Sequence, residues 1–199
     1  MEKGLLIILS GPSGVGKGTV RKKIMMDKHL NLHFSISMTT RQPRNKEEDG
    51  VDYYFVSQEE FQKNLDSGNL LEHCEFVGNR YGTPKDKVEE FRNQGKNVFL
   101  EIEINGATQV MNNVKDPGVV SIFLMPPSLK KLEERIRARK TESDEVIQER
   151  LQKGVKEMAM ADKYEHVVLN DRVNRAAKEI SNIIKAKMKE LKNNERAEK

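Results

Sequence analysis

The chain has 199 residues, of which 33% are charged and 36% are hydrophobic, and its formal net charge is +4 at pH 7. This length allows one domain with its own core, and the composition excludes collagen-like, disordered and disulfide-rich proteins. The mild basic excess fits a solvated lysine-rich surface or a site for phosphate-bearing ligands, whereas 6% aromatic residues and no tryptophan argue against a nucleic-acid partner.

The first predicted elements are a strand, a loop and a helix in succession. Residues 5–9 are five apolar residues in a row, which is typical of a strand buried on both faces of a sheet. The segment 11–19 is rich in glycine, and Val20, Ile24 and Met25 then recur at helical spacing among basic residues.

The next part of the chain is polar and rich in turns, which indicates an inserted subdomain for a substrate. Ser57 and Glu60 have the spacing of a capping box and therefore predict the start of a helix. The predicted strands are residues 33–38, 53–56 and 70–77, and the predicted helices are residues 57–65 and 85–93.

The second half returns to buried strands that alternate with helices, which predicts a parallel α/β core. A helix from Arg172 onward would bury one apolar face. That face consists of Ile180, Ile183, Ile184, Met188 and Leu191. The other predictions are strands at residues 97–104, 119–124 and 167–169 and a charged helical hairpin over residues 128–160.

The sequence also bears on compartment and membrane association. Cys74 is the single cysteine, so no internal disulfide can form, and we expect a reducing compartment and a buried, hydrophobic role for this thiol. No apolar run approaches the roughly 20 residues that span a bilayer. We therefore expect a cytoplasmic protein without a membrane partner, and either a monomer or a homodimer.

The glycine-rich segment has the spacing of a phosphate-binding loop closed by Gly16 and Lys17. Backbone N–H groups converge on phosphate in such a loop, and the following helix N-terminus adds positive charge. Gly18 stands where a Ser or Thr usually binds Mg²⁺, so Thr19 is only a candidate metal ligand and water is the alternative. The candidate nucleotide-binding residues are Ser13, Gly14, Val15, Gly16, Lys17, Gly18 and Thr19.

A second phosphate site is indicated by two arginines three residues apart, Arg41 and Arg44, with Tyr53 nearby. Two guanidinium groups and a phenol can surround a phosphate dianion with charge-assisted hydrogen bonds. The alternative is a surface turn with scattered charges.

Together these motifs resemble those of guanylate kinases, over residues 5 to about 171. The signature consists of Thr39, Thr40, Arg41, Arg44, Glu47, Gly50, Tyr53 and Phe55. The resemblance implies a fold like that of adenylate kinase: a three-layer P-loop NTPase core with a central parallel sheet, a GMP-binding insertion and a helical lid. The implied divisions are core at residues 1–35, 95–127 and 161–199, insertion at 36–94 and lid at 128–160.

The resemblance also implies an activity, the transfer of the γ-phosphoryl group of ATP to GMP, with Mg²⁺ bound to ATP, in purine nucleotide metabolism and GMP recycling. It assigns the GMP phosphate to Arg41, Arg44, Tyr53 and Tyr81, and guanine to Ser37, Glu72 and Thr83. The carboxylate of Glu72 can accept from guanine N1–H and N2–H₂, which adenine lacks. On position alone, Glu72 could equally be a solvent-facing strand residue.

Further roles follow from the same resemblance. Glu101 would organise Mg²⁺ through water and Glu103 would help to bind guanine or ribose, both from one face of the predicted strand 97–104. The lid arginines Arg135, Arg139 and Arg150 would join Lys17 and Arg41 as catalytic residues, and Asn170 would contact adenine. Lys140 replaces a usual lid glycine and is expected to stiffen the hinge.

Two other classes of protein fit parts of the pattern. A kinase of the same architecture could act on AMP, a pyrimidine monophosphate or a ribosyl phosphate instead of GMP. Guanylate-kinase-like scaffold domains bind protein ligands without turnover, but typically have a degraded phosphate loop in a long multidomain chain. A GTPase is disfavoured because the Asn-Lys-x-Asp motif is absent.

Overall fold

The computed structural model describes residues 2–76, 78–138 and 143–197, which form two β-sheets and seven α-helices. The strands are β1 (Leu6–Ser10), β2 (Leu32–Phe34), β3 (Met38–Thr39), β4 (Tyr54–Phe55), β5 (Leu70–Phe76), β6 (Asn79–Pro84), β7 (Asn97–Glu101), β8 (Val119–Met125) and β9 (His166–Leu169). The helices are α1 (Lys17–Ile24), α2 (Gln58–Asp66), α3 (Lys85–Asn93), α4 (Ile104–Asn113), α5 (Leu129–Arg137), α6 (Asp144–Met158) and α7 (Val173–Ala197).

The larger sheet is parallel throughout and has the strand order β2-β7-β1-β8-β9. Successive side chains of β1 point to opposite faces. Ile7 and Leu9 therefore pack with residues of α1 and α7, whereas Leu6 and Ile8 pack with residues of α3 and α4. Helices thus cover both faces of β1, which explains why its sequence is apolar without alternation, and the predicted parallel α/β core is confirmed.

The smaller sheet has the order β4-β3-β6-β5 and contains both parallel and antiparallel pairs. Helix α2 begins where the capping box predicts, because Ser57 Oγ accepts a hydrogen bond from the Glu60 N–H at 3.1 Å. Gln109 of α4 connects this sheet to the core, since its amide exchanges hydrogen bonds with the His73 backbone at 3.1 and 2.9 Å.

The C-terminal helix α7 buries the face that the sequence predicts. Ile180 and Ile184 are fully buried, and Ile183, Met188 and Leu191 pack at the edge of the same cluster. Among the described residues, we find no helix that is both long enough and apolar enough to cross a bilayer.

Four predictions from the sequence are wrong. Residues 33–38 are not one strand, because β2 belongs to the core sheet and β3 to the smaller sheet. The strand predicted at 97–104 ends at Glu101, since Ile104 begins α4. Glu103 is the N-cap of that helix, so the two glutamates do not share a strand face. Finally, Cys74 is half-buried rather than buried.

Candidate active site

The phosphate loop connects β1 to α1 at the carboxyl end of the core sheet, where ligands bind in open α/β folds. Gly14 and Gly16 have φ angles of +88° and +100°, a region that favours glycine. A Cβ on Gly14 would lie 2.7 Å from Cγ1 of Ile136, so α5 could not pack this closely on a bulkier loop.

Lys17 is the first residue of α1, and its ammonium folds back over the loop. Its Nζ donates to the carbonyl oxygens of Gly11 at 2.5 Å and Pro12 at 3.4 Å. Burial lowers the pKa of Lys17, and the nearby negative charge of Glu101 partly opposes that shift. The structure therefore holds a cation at the loop, where the sequence predicts one.

Two predicted residues from distant parts of the chain meet at Val15 of the loop. The guanidinium of Arg135 donates to the carbonyl oxygens of Val15 at 2.9 Å and Asn170 at 2.8 Å. The Asn170 side-chain amide donates to the same Val15 oxygen at 2.8 Å. Helix α5 and the segment after β9 are thereby fixed to the loop, and the Asn170 Oδ1 is buried without a hydrogen-bond partner among the described residues.

One face of helix α6 lies against the start of the phosphate loop. Arg150 donates to Ser13 Oγ at 2.5 Å, and a Cβ on Gly154 would lie 3.8 Å from the Pro12 side chain, an ordinary contact distance. The remaining lid residue of the prediction, Arg139, lies outside the described residues, as does Lys140.

Glu157 also belongs to this face of α6, and the sequence analysis missed it. Burial raises the pKa of Glu157, although the nearby positive charges of Lys153 and Lys17 oppose that shift. Its spacing of seven residues from Arg150 was the available signal, because residues seven apart share a helix face.

Just after β3 of the smaller sheet, Arg41 forms an ion pair with Glu47. Its Nη2 lies 2.9 Å from each carboxylate oxygen, and Glu47 also accepts from the Arg44 N–H at 2.7 Å. The hydrogen bond from Arg41 lowers the pKa of Glu47. In the sequence analysis Glu47 was only a signature position. The structure shows that it binds both the Arg41 side chain and the Arg44 backbone. The Arg44 side chain is exposed.

Two tyrosine rings lie beside Arg41. The rings of Tyr53 and Tyr81 meet edge to face with centroids 6.1 Å apart, and the Arg41 guanidinium lies 5.4 Å from the Tyr53 centroid. Burial raises the pKa of Tyr53, which keeps its phenol protonated and able to donate. The structure therefore brings Arg41, Tyr53 and Tyr81 together.

Glu72 and Thr83 face each other on β5 and β6, and both are buried. Thr83 Oγ1 donates to Glu72 Oε1. Burial raises the pKa of Glu72, although the hydrogen bond from Thr83 partly opposes that shift. The solvent-facing alternative for Glu72 is therefore wrong.

A cleft of about 410 Å³ separates the core sheet from the smaller sheet, and residues predicted for GMP and for Mg²⁺ line it. Its polar lining includes Ser37, Tyr53, Thr83 and Glu101, together with Arg21, which the sequence analysis did not single out. Arg21 Nε lies 2.7 Å from Glu101 Oε2.

The two glutamates after β7 differ in position. Glu101 lies in the cleft lining, whereas the Glu103 side chain is 65% exposed and pairs with Lys153 of α6 at 3.3 Å. Glu103 is thus absent from the cleft lining, although its negative charge contributes to the raised pKa of Glu72. Thr19 is exposed.

The donor set near the loop fits a nucleotide-bound Mg²⁺. Mg²⁺ prefers hard oxygen ligands and usually needs one or two carboxylates besides substrate phosphates and water. Glu101 offers such a carboxylate beside Lys17. The described residues contain no group of three or more His, Cys, Asp and Glu that could hold a metal by themselves.

Comparison with known proteins gives consistent matches. Residues 3–187 match the family model described as guanylate kinase. The guanylate kinase of Oceanobacillus iheyensis is 51% identical over 185 residues, which cover 93% of this chain and 88% of that protein. The guanylate kinase of Mesoplasma florum is 52% identical over 183 residues, which cover 92% of this chain but 61% of that longer protein.

A solved structure agrees with these matches. The crystal structure of guanylate kinase from Anaplasma phagocytophilum superposes with a TM-score of 0.71 at 34% identity, and the match covers 93% of this chain and 86% of that one. The signature around Arg41, the phosphate loop and the α/β topology thus occur together over nearly the whole chain. The chain belongs to the guanylate kinase family.

Proposed function

We propose that this protein transfers the γ-phosphoryl group of ATP to GMP and so forms ADP and GDP. The observation that carries the proposal is the buried pair of Glu72 and Thr83, because Thr83 lines the same cleft as Glu101, whose charge acts on Lys17 of the phosphate loop. A family match identifies the fold and the type of site. The buried carboxylate of Glu72 provides a reason for preferring one nucleobase over another.

Guanine supplies what Glu72 lacks. Its N1–H and N2–H₂ are adjacent donors that a single carboxylate can accept, and the hydroxyl of Ser37 can donate to O6, because the one hydroxyl proton of Thr83 is already donated to Glu72. Adenine would leave the buried carboxylate unpaired, and an unpaired buried charge typically costs more than the ~1–3 kcal/mol of a neutral polar group.

The GMP phosphate would lie on the basic surface made by Arg41, Tyr53 and Tyr81, with Arg44 closing from the exposed side. Glu47 holds Arg41 in place before the substrate binds, which lowers the ordering cost on binding. The attacking phosphate oxygen is already largely ionised, so these residues need only to orient it, and no general base is required.

On the donor side, backbone amides of the loop and Lys17 would bind the ATP phosphates, and Asn170 would offer its buried oxygen to the adenine side. Arg135 and Arg150, with Arg139 as a third, would neutralise charge that develops on the transferring group. When bound with ATP, Mg²⁺ supplies charge neutralisation at the phosphates, and Glu101 is the residue that would hold it.

This assignment gives each part of the chain a role. Residues 1–35, 95–127 and 161–199 would act as the core, residues 36–94 as the GMP-binding insertion and residues 128–160 as a lid whose closure excludes water. We place the activity in the cytoplasm, because both nucleotides are available there and the one cysteine needs no oxidising compartment.

An acceptor panel tests the proposal. Purified protein is incubated with ATP, Mg²⁺ and one of GMP, dGMP, AMP, CMP, UMP or ribose 5-phosphate, and ADP release is followed by a coupled assay. We expect kcat/KM for GMP to exceed that for AMP by about 10³-fold or more. Faster turnover with another acceptor would assign a different kinase, and GMP binding without turnover on any acceptor would support a scaffold domain.

A further inference from the structure

The space beside Gly18 is faced by a carboxylate. A Cβ on this residue would lie 3.6 Å from Oε1 and 3.9 Å from Oε2 of Glu101, which are ordinary van der Waals distances. Both oxygens of Glu101 therefore face the position from which a Ser or Thr side chain would extend in the usual phosphate loop. The oxygen ligand missing at residue 18 is matched by oxygens that come from the end of β7.

Arg21 forms an ion pair with the same carboxylate. It lies three residues after Gly18 on α1 and therefore on the same helix face. Its Nε is 2.7 Å from Glu101 Oε2, a charge contact in which neither atom has a hydrogen-bond partner among the described residues, and the two side chains are 23% and 20% exposed. This pair is thus partly shielded from water, and its charge–charge attraction is stronger than that of a fully exposed pair.

The Arg21 guanidinium is itself fixed by an aromatic ring. It lies 3.8 Å from the ring centroid of Phe34, which belongs to β2, the strand next to β7. A planar cation that rests on a ring loses little further freedom when it pairs with a carboxylate. Phe34, Arg21 and Glu101 therefore form a layered contact that restricts where the Glu101 oxygens can point.

We propose that Arg21 is a positioning residue that holds Glu101 toward the side-chain space of Gly18, so that Glu101 takes over the metal-binding role that a loop hydroxyl usually has. This inference rests on the proposed function, because it concerns the Mg²⁺ that accompanies ATP or ADP. Arg21 itself touches neither the metal nor the reacting phosphates, and it acts through Glu101.

Nucleotide binding measured with and without metal tests this role. Binding of a fluorescent ADP analogue is titrated in excess Mg²⁺ and again in EDTA, for the wild type, Arg21→Met and Glu101→Gln. The Kd in EDTA divided by the Kd in Mg²⁺ reports how much the metal strengthens nucleotide binding. Loss of a residue that orients a metal ligand typically weakens metal affinity about 10- to 100-fold.

We expect Arg21→Met to reduce that ratio about 10-fold and to leave the Kd in EDTA unchanged. Arg21→Met combined with Glu101→Gln should lose no more than Glu101→Gln alone, since both act on one interaction. Lys22→Met removes a positive charge from an exposed position on the same helix and is the matched control, with a ratio equal to that of the wild type.

A wild-type ratio in Arg21→Met would overturn the inference, and so would an equal loss of affinity in Mg²⁺ and in EDTA, which indicates general damage to the loop. These outcomes are separable from failure of the proposed function. If the wild type does not phosphorylate GMP in the acceptor panel, the substrate assignment fails. The ratio of Kd values in EDTA and in Mg²⁺ is measured with the ADP analogue alone and does not depend on that result.

Discussion

Thr83 donates a hydrogen bond of 2.6 Å to Glu72, and these residues are only 1% and 6% exposed. One hydroxyl leaves most of the acceptor capacity of a carboxylate unused, so burying Glu72 costs free energy in the unliganded protein. A ligand with two adjacent N–H donors would recover that cost. The cost of burying Glu72 would thus favour GMP over AMP as the phosphoryl acceptor.

Replacing Glu72 with Gln should weaken discrimination between GMP and AMP. The amide offers one acceptor instead of two, and loss of a charged hydrogen bond of about 1.5–3 kcal/mol would raise KM for GMP about 10- to 100-fold. Steady-state kinetics with both acceptors measure this ratio. Glu75→Gln, an exposed carboxamide substitution on the same strand, should keep the wild-type ratio, and an unchanged ratio in Glu72→Gln would disprove the base-reading role.

Gly106→Ala should damage the same function without touching the substrate. A Cβ at residue 106 would lie 2.5 Å from Oε2 of Glu72, and the buried carboxylate has little room to retreat. Ala is a better helix former than Gly by about 1 kcal/mol, so α4 itself should not be weakened. We expect a raised KM for GMP with an unchanged KM for ATP, and equal KM values in variant and wild type would argue against this geometry.

The difference in unfolding free energy between Glu72→Gln and the wild type should depend on pH. Burial raises the pKa of Glu72 above its usual 4.5, so ionisation penalises the folded state. The wild type is therefore relatively most stable below pH 4.5 and loses that advantage as the pH rises through the raised pKa. Urea unfolding should show the variant to be the more stable protein at pH 8, and this difference should vanish toward pH 4; a constant difference would contradict the burial argument.

Lys17→Ala should abolish most turnover and leave the fold intact. Removal of one preorganised donor to developing charge typically lowers kcat about 10²- to 10³-fold. The pKa of Lys17 is lowered by burial, so the side chain does not stabilise the unliganded protein by its charge. The coupled ADP assay gives kcat and circular dichroism gives Tm. The exposed Lys23→Ala on the same helix is the control, and comparable kcat losses in the two variants would refute the assignment.

Cys74 should react slowly with a thiol reagent. Burial raises its pKa from 9.0 to about 11, which lowers the thiolate fraction about 100-fold at neutral and mildly basic pH. As the only cysteine it gives a single reaction phase. With DTNB at pH 8, the folded protein should react at least about 100-fold more slowly than in urea. Equal rates would show that the thiol is freely accessible.

Local patterns predicted much of the fold. The apolar run of β1, the capping box at Ser57 and the Lys85–Asn93 helix each depend on residues close in sequence, and each is present in the structure. The predictions failed where the chain passes between sheets. Ser35 to Ser37 separate β2 from β3, and alternation alone does not reveal a change of sheet.

The candidate site shows the same division. Spacing and residue type were enough to predict the phosphate loop and the basic segment around Arg41, because both depend on residues that are close together in the chain. The three-dimensional contacts were needed to show that Glu47 pairs with Arg41, that Arg21 pairs with Glu101 and that Glu103 caps α4 and pairs with Lys153. Those relationships depend on where strands end and helices begin relative to one another, since burial and charge around a carboxylate are set by residues distant in the chain.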